Sequence, residues 1–151
     1  MKVKIAVTDA NIFIDLYDLG LTKYFFNLDL EIHTTFAVLY ELYPEQQEIL
    51  QAYQSVGRLE VHNLQEQDFV EIHNENYPKS LSEAEKSVLH VANKINASVL
   101  NSDKVLRNCA KNKDIEYRNY NHNGYYLCKV KLLKNMKLRF APVINVATRT
   151  T

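Results

Sequence analysis

Apolar positions along the chain switch repeatedly between two periods. Short β-branched or aliphatic runs at Val3–Thr8, Glu31–Thr34, Arg58–His62, Ser98–Asn101 and Ile115–Arg118 read as strands. Helical spacing occupies the intervals near 11–17, 22–27, 35–42, 44–56, 65–76, 82–96 and 102–113. Local punctuation agrees. Pro44 suits a first helical position, Gly57 a helix C-terminus, and Ser82 with Glu85 a capping box, while Ser102 is placed to cap the helix after it. Strand–helix alternation of this kind predicts a parallel sheet covered by helices, a three-layer α/β/α sandwich. In such sheets functional groups gather outside the carboxyl ends of the strands, where Asp9 and Asp103 both fall. Beyond Asn119, Asn121–Gly124 reads as a turn and Tyr125–Met136 as a last basic helix. No repeat or linker divides the 151 residues, so one domain is expected, with a core over 3–118 and a basic segment over 119–151.

The helix near 82–96 separates its two nearby glutamates by angle, at about 100° per residue. With Ala84 at zero, Val88, Val91, Ala92 and Ile95 fall within about 80° of it, and Glu85 lies beside that stripe at about 100°. Glu83 falls on the opposite side with Lys86, Ser87, His90 and Lys94, a face expected to be wet. Glu85 is therefore the site candidate, with helix capping as its competing role.

Two other acids interrupt apolar surroundings. Asp9 ends the first strand, and Glu41 is the sole charge in Phe36–Tyr43, where burial is expected. Asp103 follows the strand Ser98–Asn101. Each has an ordinary structural role available, as a helix cap or a first-turn acid. Isolated charges are costly to take from water unless paired or bound to a metal. Four together favour one acidic pocket for magnesium or manganese, hard cations that prefer oxygen ligands. Bound ions of this kind activate water and neutralise phosphodiester charge without any nucleophilic side chain.

Charge and composition narrow the reading. Residues 1–100 hold 7 Lys+Arg against 15 Asp+Glu, and residues 101–151 hold 11 against 3. A basic half beside an acidic pocket suits a polyanion such as a nucleic acid, although the halves also simply neutralise each other. No apolar run approaches a membrane span, and Asp9 interrupts the first apolar stretch too early for a signal peptide. Cys109 and Cys128 lack zinc spacing, so a reducing cytoplasm is expected. The five histidines, His33, His62, His73, His90 and His122, also show no zinc-ligand spacing, and most are expected to be surface or structural residues. Glycine is too scarce, at three residues, for a phosphate-binding loop.

The residues taken together resemble a family. Val7–Asp15, with its strand, aspartate, small residue, asparagine and apolar run, resembles the opening of PIN-domain nucleases. Thr35–Leu42 resembles the helix that carries their glutamate, and Leu81–Ala92 their third acidic helix. Val99–Leu106, followed by Ala110 and Asp114–Tyr117, resembles their late strand, aspartate and helix. Asn101 departs from the usual Thr or Ser, and Val105 and Leu106 stand where a further acid often follows. The resemblance implies a five-stranded parallel sheet ordered 3-2-1-4-5 and magnesium- or manganese-dependent cleavage of single-stranded RNA or structured RNA loops. It also implies a metal quartet of Asp9, Glu41, Glu85 and Asp103, supported by Asn11 and Ser102. Lys104 and Arg107 would contact RNA phosphates. Similar small bacterial proteins are commonly toxins, forming homodimers and pairing with an antitoxin protein. The competing reading is an inactive PIN-like module that binds RNA or docks a protein. A dehalogenase-type phosphatase is disfavoured because Asn11 stands where its second aspartate is needed.

Overall fold

Val3–Val7 (β1) lies in the middle of a parallel sheet, between Leu30–Thr35 (β2) and Ser98–Asn101 (β4). The computed structural model describes residues 3–101 and 104–119. Beyond β2 lies Leu59–His62 (β3), and beyond β4 lies Tyr117–Asn119 (β5). The sheet order is β3-β2-β1-β4-β5. Four strands of four or more residues form its body, and the three-residue β5 edges it. The expected parallel α/β architecture is thus present. Ile5, Ala6, Val7, Val99 and Leu100 are all buried, as strands covered on both faces require.

Helices fill every crossover. Ala10–Asp18 (α1) and Thr22–Phe26 (α2) join β1 to β2, and Phe36–Leu39 (α3) and Pro44–Ser55 (α4) join β2 to β3. Glu66–Asn74 (α5) and Glu83–Ile95 (α6) lead to β4, and Lys104–Asn112 (α7) leads to β5. Pro44 opens α4, and Gly57 follows it at φ +75°, a conformation that side chains disfavour. The helix expected over 35–42 is shorter, because Tyr40–Glu41 turns out of α3 toward Pro44. No helix among the described residues is long and apolar enough to cross a membrane. Cys109 is half-buried on α7 beside the core, and Cys128, the expected turn and the expected basic helix after Asn119 lie outside the described residues.

α6 is the element that gathers the layers. Its Val88 and Leu89 are at most 1% exposed, and it packs on β1, β2, β4, α3 and α5. Its polar side is less wet than its angles predict. Ser87 is buried, its hydroxyl bonded to the Ala84 carbonyl at 2.6 Å and within 2.8 Å of the Thr35 hydroxyl. His90 is half-buried because α5 covers it. There, Asp68 Oδ1 accepts from His90 Nε2 at 2.8 Å and from Lys94 Nζ at 3.2 Å, while Oδ2 accepts the Gln65 N–H at 2.8 Å. The Gln65 amide, then His90 and Lys94, hold the Asp68 carboxyl down to about 2.

A depressed carboxylate contributes stability above its unfolded value and loses it as pH falls through the folded one. Asp68→Asn is therefore expected to lower stability by about 1–2 kcal/mol at neutral pH. Between pH 3.8 and about 2, the wild type should lose stability more steeply than the variant in urea titrations.

Candidate active site at the carboxyl end of the sheet

The sheet order reverses between β1 and β4, so the chain leaving β1 enters the crevice at a topological switch point. Thr8 anchors that exit. Its backbone N–H donates to the Leu100 carbonyl at 3.2 Å, and its buried hydroxyl donates to the same oxygen. The next residue is Asp9. Its extended backbone, φ −126° and ψ 125°, makes it the N-cap of α1, and its Oδ1 accepts the Asn11 N–H at 2.9 Å. Asp9 is half-buried and Asn11 is exposed. Asn11 thus supports Asp9 through its backbone N–H.

Glu41 arrives from the neighbouring strand. Thr35 ends β2 and caps α3, its hydroxyl accepting the Val38 N–H. The chain then turns through Glu41, whose N–H bonds the Val38 carbonyl at 3.1 Å. Two bonds from the start of α4 pin the turn: Gln47 Nε2 donates to the Leu42 carbonyl at 2.8 Å, and Tyr43 N–H to Gln46 Oε1 at 3.2 Å. The Glu41 residue is exposed, contrary to the burial its apolar neighbours suggest, because Val38, Leu39 and Leu42 take the inward positions of the turn. Its carboxyl is nonetheless pushed above the ordinary range, first by partial desolvation and then by the nearby Asp9 carboxylate. Asp9 and Glu41, 32 positions apart in sequence, are therefore electrostatic neighbours.

Glu85 is half-buried at the start of α6. Ser82 and Glu85 form the expected capping box: Glu85 Oε1 accepts the Ser82 N–H at 3.0 Å, and Ser82 Oγ accepts the Glu85 N–H at 3.1 Å. The Thr35–Ser87 hydroxyl pair fastens this end of α6 to the start of α3, the helix that precedes Glu41. Ser102, Asp103 and the side chains of Lys104 and Arg107 lie outside the described residues. The donors brought together are oxygens. A glutamate raised by a neighbouring carboxylate, with oxygen donors on both, suits a hard divalent cation.

Two features escape a linear reading. Tyr40 and Tyr43, 77% and 67% exposed, flank Glu41 as aromatic surface, a signal already present in the spelling Tyr40-Glu41-Leu42-Tyr43. The histidines are also less scattered than their spacing suggests. Parallel pairing of β2 with β3 sets His33 opposite Glu60 and Thr35 opposite His62, so residues 29 apart meet.

A family model for DUF3368, described as a PIN domain, matches residues 5–119. No curated protein matches the chain.

In metal-free protein, Asp9→Asn should move the Glu41 carboxyl part of the way back toward its ordinary value near 4.5, because burial remains the larger cause. Carbon-detected NMR titration checks this. The raised Glu41 favours folding at low pH and loses that advantage as pH rises through the folded value. Glu41→Gln should accordingly stabilise the metal-free protein at pH 7, with the gain vanishing near pH 3.

Proposed function

This chain belongs to the PIN-domain family, and on that premise we propose that it is a metal-dependent endoribonuclease of the toxin type. The approach of Asp9 and Glu41 at the carboxyl end of a parallel sheet carries the reading. Magnesium or manganese would be held by these two carboxylates, with Glu85 and Asp103 completing the set. Bound there, the ion supplies neutralisation of phosphodiester charge and activation of water for hydrolysis, leaving a 5′-phosphate and a 3′-hydroxyl.

The chain's own residues supply the remaining requirements. Thr8 and the Asn11 N–H fix Asp9 before substrate arrives, and the pinned turn fixes Glu41, so little reorganisation is needed on binding. Tyr40 and Tyr43 offer faces on which unpaired bases stack, which favours single-stranded over duplex RNA. Lys104 and Arg107, with the basic residues beyond them, would contact phosphates. A homodimer and an antitoxin protein that covers the acidic end belong to the same proposal.

Purified protein incubated with single-stranded RNA and tRNA should cleave with magnesium or manganese and not with EDTA. Asp9→Asn and Glu41→Gln should each lower the rate by at least about 100-fold while preserving the fold. Tyr40→Ala should weaken substrate binding by about 5- to 100-fold, the effect of one lost base stack, and should leave metal dependence intact. Full cleavage by folded Asp9→Asn protein would defeat the assignment. Metal binding without cleavage of any RNA would favour a binding module instead.

A further inference from the structure

We propose that His33, Glu60 and His62 form a second metal site, for zinc or a similar transition ion, on the β2–β3 edge of the sheet. One donor atom from each of His33, Glu60 and His62 lies within 4.8 Å of the other two. His33 Nδ1 is 3.0 Å from His62 Nε2 and 3.7 Å from Glu60 Oε2. Ligands about 2.0–2.1 Å from a tetrahedral ion stand roughly 3.3 Å apart, so these separations already bracket that edge length. Two imidazoles and one carboxylate are a donor set zinc accepts, and three protein ligands leave a fourth position for water.

The surroundings are those of a ligating histidine. His33 is 3% exposed, and its other nitrogen, Nε2, lies 2.9 Å from Glu31 Oε1. A carboxylate only accepts, so Nε2 carries the hydrogen and Nδ1 presents its lone pair inward. A carboxylate behind a histidine in this manner orients the ring and raises its basicity toward a metal. His62 supplies the second nitrogen. Its Nε2 faces His33 Nδ1 at 3.0 Å, on the side of the ring that a shared ion would occupy. Without metal, His62 Nε2–H donates to His33 Nδ1. With metal, that hydrogen sits on His62 Nδ1 and both inner nitrogens face the ion.

The other histidine cluster lacks this openness. Asp68, Glu71 and His90 also converge, but the Lys94 ammonium already occupies Asp68 Oδ1 at 3.2 Å. At the β2–β3 edge no lysine or arginine contact to the three donors is found among the described residues. The site differs from Asp9 and Glu41 in donor type, with nitrogen ligands selecting a softer ion. An ion there would tie the edge strand β3 to β2.

Cobalt(II), whose visible absorption reports tetrahedral nitrogen ligation, and then zinc should be titrated into the untagged, metal-stripped full chain. One equivalent with the tetrahedral absorption is expected, bound equally by Asp9→Asn, with a raised melting temperature. His62→Ala should abolish it, Glu60→Gln should weaken it at least tenfold, and Glu31→Ala should weaken it about 10- to 100-fold. Glu60 is exposed, so its variant decides the matter even where His62→Ala fails to fold. A wild-type chain that binds no equivalent overturns the proposal. So does binding that survives either ligand substitution unchanged.

Discussion

Everything at the carboxyl end depends on β1 being paired on both sides. Hydrogen bonding to β2 and β4 fixes both of its edges and brings its last residues to the point where the sheet order reverses. Thr8 extends that pairing with its bonds to the Leu100 carbonyl, so Asp9 leaves the sheet from a fixed backbone position. A carboxylate placed there must be partly desolvated and must face whatever the neighbouring crossover delivers. The crossover from β2 delivers Glu41. Their mutual repulsion has the sign expected of a site built to receive a cation.

α6 gives this end its rigidity. Its apolar residues cover three strands, and the Thr35–Ser87 hydroxyl pair ties it to the α3 turn. Glu85 is used in the capping box that starts the helix. The Asp68–His90–Lys94 cluster performs the separate task of holding α5 on α6.

The fold was legible because strand–helix alternation is a local signal that the buried sheet reinforces. Pro44, Gly57 and the Ser82–Glu85 box all act where the spelling places them. Asp9 was legible for the same reason, since a strand-end aspartate follows from chain position alone. Glu41 was half-legible. Its neighbours are apolar, but the short α3 turns them inward and leaves the glutamate outward, which periodicity over an assumed longer helix could not reveal. Ser87 and His90 are drier than their angles imply because an angle on one helix carries no knowledge of what packs against it. The His33–His62 pair was invisible because strand register is a property of two segments, and linear spacing describes only one.

Joint binding of a divalent ion by Asp9 and Glu41 at the switch point is open to anomalous diffraction from crystals of the wild-type chain soaked in manganese. A manganese peak in contact with both carboxylates is expected. A well-occupied peak elsewhere, or carboxylates too far apart to share one ion, would contradict it.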